Sequence, residues 1–330
     1  MKKVLSMVAL GAAIVLAGCS KGIKVNPDKE KYVVGIAQFA PAPALDKATA
    51  GFKAKLTALL QGEGRQVEYE FQNVNGDLSN TNAIAETLVN KDVDLILANA
   101  TPCLTAAFNK TSYIPILGTS ITEYGVACNI TIENGITKTN VSGTSDLAPL
   151  DQQAAELKSW FDANSRTLNK VGLLYCSAEA NSKFQIEEIE KHFAALGVAT
   201  QRYNFSESSE LAAVCQTAAA NVDAIYIPTD NTCANNGALI SNKLEGTNVP
   251  VYAGEEGICR DCGFATLSID YYRLGEITGE MAFNVLLGKK SIAEYPIQYD
   301  TNTAKRYDAT RAAALGFSIV PAGYEVLPTE

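Results

Sequence analysis

The chain has 330 residues, with 27 lysines and arginines against 36 aspartates and glutamates and a formal net charge of -9. Hydrophobic residues make up 47% and charged residues 19%, a globular composition that excludes disordered, collagen-like and coiled-coil chains. The length suits two domains better than one core, and no basic stripe is present to neutralise phosphates, which excludes a nucleic-acid binder.

Lys2 and Lys3 precede an apolar run over residues 4–16 that is short for a bilayer span, so residues 1–18 read as a cleaved signal peptide. The four residues Leu16-Ala17-Gly18-Cys19 are similar to a bacterial lipobox. That similarity implies lipidation of Cys19 and an extracytoplasmic protein anchored to the cell membrane. Residues 19–30 are polar and charged and are expected to form a tether.

From residue 31 onward, short β-branched runs alternate with amphipathic stretches, the pattern of parallel α/β units. Strands are expected at 32–37, 67–73, 93–98 and 114–118, with helices at 45–61 and 80–90, the second capped by Ser79. A second set follows Gly143. It has helices at 150–163, 181–196, 208–220, 234–244 and 271–287, and strands at 170–175, 199–204, 224–228, 249–253 and 264–269. Gly275 and Gly279, four apart in the last helix, suit close packing of that helix on a sheet. The fold class is thus α/β, two Rossmann-like lobes with parallel-rich sheets.

Catalytic chemistry finds little support. The single histidine, His192, lies in a helical stretch, so an imidazole metal cluster is impossible and no serine triad is suggested. No dinucleotide or P-loop glycine fingerprint opens either lobe, and neither a cofactor nor a metal is expected. Of the eight cysteines, Cys176 and Cys215 read as buried free thiols. Cys259 and Cys262 have the spacing of a local disulfide without the context of a redox motif.

The C-terminal ends of the expected strands gather small polar residues: Gln38-Phe39, Asn99 to Pro102, Gly118-Thr119-Ser120, Ser177 to Ser182, Thr229 to Thr232, Gly254 to Gly257, and Asp270. Hydroxyls and amides before helix N-termini suit a carboxylate, because free N–H groups point at it. Asp230 could neutralise an ammonium group across the same crevice, and Glu255 and Glu256 form a carboxylate pair at a strand end.

The segments SAEANS at 177–182, PTDNT at 228–232, NVSGTSD at 140–146, IPILGTSITE at 114–123 and the run at 254–288 resemble the TrpX-like ABC uptake family of substrate-binding lipoproteins. The resemblance implies a type I periplasmic-binding-protein fold, with two lobes joined by three crossovers near 144–148, 254–259 and 297–302. Lobe one would comprise 31–146 and 257–299, and lobe two 147–256 and 300–330. It also implies a small solute, with an aromatic amino acid favoured, an ABC permease with its ATPase as partners, and a monomer. Matching positions place Thr101, Thr119, Asn181, Ser182, Asp230, Asn231, Glu255 and Asp270 in or beside the cleft. Thr101, Thr119, Asn181 and Ser182 are the carboxylate candidates, Asp230 is the ammonium candidate, and Gln38 stands at the end of the first strand. Phe39, Tyr124 and Tyr175 are candidate walls for an apolar side chain. TPCLT at 101–105 and ITEY at 121–124 depart from the family pattern near the cleft. A nucleobase, vitamin precursor or sugar remains an alternative solute, and sensing an alternative to transport.

Overall fold

The computed structural model describes residues 22–328, so the signal peptide and Cys19 lie outside it. The first lobe runs through β1 (Lys31–Gln38), α1 (Pro43–Gly62), β2 (Gln66–Asn73), α2 (Thr81–Asn90), β3 (Leu95–Asn99), α3 (Thr101–Lys110), β4 (Ile116–Ile121), α4 (Tyr124–Cys128) and β5 (Val141–Ser145). The chain then crosses to α5 (Leu150–Ala163), β6 (Lys170–Cys176), α6 (Ala180–Ala195), β7 (Ala199–Phe205), α7 (Ser208–Ala219) and β8 (Ala224–Ile227). It continues in the second lobe with α8 (Asn231–Asn235), α9 (Gly237–Leu244), β9 (Val251–Ala253), α10 (Glu256–Asp261) and β10 (Ala265–Ile269). It returns to the first lobe as α11 (Tyr271–Leu286) and β11 (Gln298–Tyr299), and ends in the second as β12 (Thr303–Tyr307), α12 (Ala309–Ala314) and β13 (Tyr324–Val326).

Lobe one is a parallel sheet in the order β11-β5-β4-β3-β1-β2, and lobe two has the order β13-β12-β10-β9-β8-β6-β7, with β12 antiparallel to β10. The central strands β3, β4 and β8 are buried along their whole length, and β3 and β8 accordingly read as largely apolar runs without alternation. In lobe two, Trp160 is the hub of an aromatic core, meeting Phe264, Phe317 and Tyr324 edge-on at centroid distances of 5.2, 5.7 and 5.1 Å.

The second crossover differs from expectation. Residues 265–269 form β10, which pairs with β9 and β12 in lobe two. The chain therefore leaves that lobe at Asp270 and not at 254–259. Gly254 to Gly257 is a strand-to-helix turn whose N-cap is Glu255, so its glycines belong to a cap and not to a hinge. The expected tether is shorter too. Lys24 N donates to Tyr113 O at 2.6 Å and Lys29 Nζ binds Asp94 at 2.6 Å, so residues 23–30 lie against lobe one. Asp77, not Ser79, caps the turn before α2, accepting from Ser79 N at 2.9 Å.

The glycine spacing in α11 serves helix against helix. A Cβ on Gly275 would stand 2.0 Å from Ala48 O, and one on Gly51 2.0 Å from Tyr272 O. Helices α1 and α11 thus touch backbone to backbone, which only glycine permits. All seven cysteines among the described residues are free and buried. Burial pushes the Cys176 thiol up to about 11 and those of Cys128 and Cys215 to about 12, so they stay protonated and unreactive.

Candidate functional site

Each sheet reverses its winding once, between β1 and β3 in lobe one and between β6 and β8 in lobe two. Open α/β sheets bind ligands beyond their strand C-termini at such points. Here the two switch points face each other across a cavity of about 30 Å³. The β1–α1 turn contributes Ala42, Ala44 and Leu45, and the end of β4 contributes Ser120 and Thr122. Asp146 and Tyr271 stand beside the first two crossovers, and lobe two supplies Asn181, Thr229, Asp230, Asn231, Ala234 and Glu255. That volume holds a water or two, so the lobes must part, or side chains shift, before a larger solute enters.

The helices that point at the cavity divide into capped and uncapped. Asp230 caps α8, and Glu255 caps α10. The 20-residue α1, starting after Ala42, and the 16-residue α6, starting after Glu179, receive no side-chain cap. Neither does α3 after Ala100, whose φ of 85° carries the chain sharply from β3 into the helix. Uncapped N-termini leave N–H groups directed at the cleft.

The cavity is acidic and contains no base. Asp146, Asp230 and Glu255 in its lining and Glu179 behind it are all buried, with exposures of 4, 1, 4 and 1%. Lys47 and Arg260 bind Glu256 at the rim instead. Burial raises the Asp146 carboxyl to about 6, and those of Glu179 and Glu255 to about 7. Asp230 is raised for the same reason and partly held down by donors from Cys176 N, Cys233 N and Ser182 Oγ. Those donors lie 2.7, 2.8 and 2.7 Å away. Glu179 accepts from Asn231 Nδ2 at 2.6 Å and Thr232 N at 2.8 Å, tying the start of α6 to the start of α8.

Three buried polar oxygens here have no partner: Ser120 Oγ and Asn181 Oδ1 in the cavity wall, and Thr101 Oγ1 at the start of α3. A buried polar group without a partner costs free energy, and its persistence at a cleft marks it as available to a ligand.

The family-model comparison matches residues 33–305 to the family described as ABC transporter substrate binding protein. This chain belongs to that family. It is 31% identical over 312 residues to the Tyrosine-binding protein of Clostridioides difficile strain R20291, covering 90% of this chain and 87% of that protein. Among solved structures it is similar to the ABC domain in complex with L-Trp from Streptococcus pneumoniae, at 28% identity and a TM-score of 0.82 over 89% of this chain and all of that one (100%). It is also similar to the ligand-free, open structure of a Clostridium difficile substrate-binding protein with adhesive properties, at 29% identity but a TM-score of 0.67 over 91% and 100% of the two chains. The family consists of solute-binding proteins, not enzymes, and the fold is that of periplasmic binding proteins, as the resemblance implied.

Of the residues singled out from the sequence, Asn181, Asp230, Asn231 and Glu255 line the cavity. Ser182 lies behind it, donating to Asp230, and Thr101 stands one strand over at the α3 N-terminus. The others serve the scaffold. Gln38 donates to Asp46 Oδ1 at 2.6 Å and accepts from Thr49 Oγ1 at 2.6 Å, shaping the β1–α1 turn. Thr119 points to the far side of the sheet, where its Oγ1 accepts from Thr144 at 3.3 Å. The Tyr124 hydroxyl is shared between Gly118 O at 3.0 Å and Thr144 O at 2.9 Å, so its ring is core and not cleft wall. Tyr175 is likewise core in lobe two. Phe39 packs in the lobe-one core and meets the cleft only at its outer mouth. Asp270 is exposed and caps α11. Its neighbour Tyr271 is the residue that reaches the cavity.

Ser120, Glu179 and Thr229 belong to the strand-end segments but were assigned no ligand contact, and Thr122, Asp146 and Tyr271 lie within or next to segments that were noted. At β4 the register shifts between Gly118 and Ile121 and Ser120 adopts a φ of 56°. This irregularity turns Ser120, and not Thr119, toward the cleft. Strand alternation alone does not reveal it.

Proposed function

We propose that this protein captures a free amino acid, with an aromatic side chain favoured, between its lobes and delivers it to an ABC permease while anchored outside the cell membrane through lipid on Cys19. One observation carries the reading. A single buried cavity joins uncapped helix N-termini and the partnerless Ser120 hydroxyl, which suit a carboxylate, to carboxylates without a basic partner, which suit an ammonium group. A zwitterion supplies both complements at the separation of one Cα. The tyrosine and tryptophan named for two relatives support an aromatic side chain. Closure around the solute would present a surface on both lobes to the permease, and binding energy would favour the closed form. The lipobox supports the anchor; among the described residues no helix is long and apolar enough to cross a membrane.

The test is calorimetric titration of residues 20–330, unfolded and refolded to remove carried-over solute, against the twenty amino acids. One-to-one submicromolar binding of tyrosine, tryptophan or phenylalanine is expected. No binding by any amino acid would overturn the reading. Membrane fractionation of the full chain with Cys19→Ser tests the anchor: release of the protein from the membrane is expected, and retention would refute lipidation there.

A further inference from the structure

Three carboxylates line the cavity, and one amino acid brings a single ammonium group. We infer that Asp146, at the first crossover, is the residue that anchors the ligand's ammonium group and so determines selection for an amine-bearing solute. The inference rests on the amino-acid reading above and assigns its recognition to a residue other than Asp230, which sequence alone suggested.

The hydrogen-bond inventory separates the three. Asp230 is committed to its own lobe: Oδ2 accepts from Cys176 N and Ser182 Oγ, both at 2.7 Å, and Oδ1 from Cys233 N at 2.8 Å. Two of those donors are backbone amides, fixed by β6 and α8, so the carboxylate serves to join two strand-end turns. Glu255 accepts from the amides of Gly257 and Ile258, one on each oxygen, as the cap of α10. Asp146 caps no helix and accepts from no backbone amide of a neighbouring element. Its Oδ2 receives the Tyr271 hydroxyl at 2.9 Å and its Oδ1 the Thr122 hydroxyl at a long 3.2 Å. Asp146 and Glu255 each accept two such bonds, but those to Asp146 come from side-chain hydroxyls and not from the amides of a helix start, so its carboxylate, 4% exposed and without a basic partner, is the one free to turn its remaining acceptor sites to the N–H donors of a ligand. Burial raises all three carboxyls, so each would gain from an ammonium group brought beside it.

Position adds a consequence. Asp146 directly follows β5 at the first crossover, and its donor Tyr271 directly follows the second. An ammonium group held here touches the two segments about which the lobes turn, while the rest of the solute reaches Asn181 and Asn231 in lobe two. Recognition of the amine and closure of the cleft would then be one event.

The experiment compares L-tyrosine with its deamino analogue 3-(4-hydroxyphenyl)propionate, by calorimetry on wild type, Asp146→Asn and Asp230→Asn, each checked for a cooperative thermal transition. Wild type should prefer tyrosine by at least a hundredfold. Asp146→Asn should lose at least fiftyfold in tyrosine affinity, bind the analogue within threefold of wild type, and so lose the preference. Asp230→Asn, which removes a second carboxylate of the cavity, should lose at least fivefold less of the preference than Asp146→Asn does among its folded molecules. Retention of the full preference by Asp146→Asn, or its loss only in Asp230→Asn, would overturn the assignment. Should Asp146→Asn not fold, Tyr271→Phe keeps the ring and removes the positioning hydroxyl. A fivefold or greater loss confined to tyrosine is expected, and equal effects on both compounds would refute the role. Wild type that binds no amino acid would instead refute the reading on which the inference rests.

Discussion

The two walls of the cleft are built on opposite principles. Lobe two presents a network that is nearly complete in itself, with only Asn181 Oδ1 left without a partner: Glu179, Asn181, Ser182, Gln185, Thr229 and Asp230 bind one another and the amides of β6 and α8. Lobe one presents Thr101 and Ser120 with no partner and Asp146 with two hydroxyls. A self-satisfied wall is pre-organised and contributes to folding, whereas an under-satisfied wall waits for donors and acceptors that arrive with the solute. Mutations of the same chemical kind should therefore act on stability in one lobe and on binding in the other.

The largest effect is expected in lobe two. Asp230→Ala strands the amides of Cys176 and Cys233 and the Ser182 hydroxyl, and relief of one buried charge only partly offsets this. A loss of about 2–4 kcal/mol of stability follows, read from urea unfolding of the ligand-free protein. A variant as stable as wild type would break the comparison.

The next effect tests the acidity shared by both walls. Asp146, Glu179 and Glu255 have folded values of about 6, 7 and 7, above the ordinary carboxylate range near 4 of an unfolded chain. Between these limits the folded state holds more protons than the unfolded state, so ligand-free stability falls as pH rises from about 4 to about 7 and is then level. Each group contributes on the order of 1–3 kcal/mol to that fall at most. The thermal midpoint without solute should be higher at pH 5 than at pH 7.5. Affinity for an amino acid should run the opposite way, because an ammonium group favours the ionised carboxylates. Parallel pH trends in the two measurements would show that these carboxylates do not meet the ammonium group.

Smaller still, and confined to binding, is Ser120→Ala in lobe one. The hydroxyl makes no bond to lose, so stability should change by less than about 0.5 kcal/mol while affinity falls about tenfold. Calorimetry with thermal melts on the same samples separates the two quantities. The smallest effect belongs to the rim, where Lys47 reaches across from α1 to Glu256 at 3.3 Å with 46% of its side chain exposed. Exposed ion pairs contribute little, and Lys47→Met should leave affinity within about twofold.

Much of this was legible in the residues. Two α/β lobes followed from the alternation of β-branched runs and amphipathic stretches, and the limits of the expected elements fall within two residues except at the end of the strand expected at 114–118 and the start of the helix expected at 234–244, because long periodic segments bury one continuous face. The short polar β5, VSGTS, and α3, which begins at the candidate Thr101, were not resolved, since neither has the apolar period that marks a strand or helix. Asn181, Asp230, Asn231 and Glu255, which line the cavity, are visible from the sequence because polar residues at strand ends before helices form a pattern. Thr119 and Tyr124 were misassigned because facing depends on the irregularity at Ser120 and on the slot left by Gly118 and Gly143, where an added Cβ would stand 2.6 and 2.4 Å from the Tyr124 hydroxyl oxygen.

By itself, then, the sequence determined the lobes, the segments that reach the cleft and the family the chain resembles, because these depend on local periodicity and on ordered short motifs. Only the tertiary structure decided where the chain leaves lobe two, which carboxylates share one cavity, and which of them retain free acceptor sites. Those depend on partners distant in sequence, such as Asp146 and Tyr271, 125 residues apart and joined by one hydroxyl. No local pattern encodes that contact. It exists because two crossovers, each adjacent to a strand end, are brought side by side when both sheets have formed.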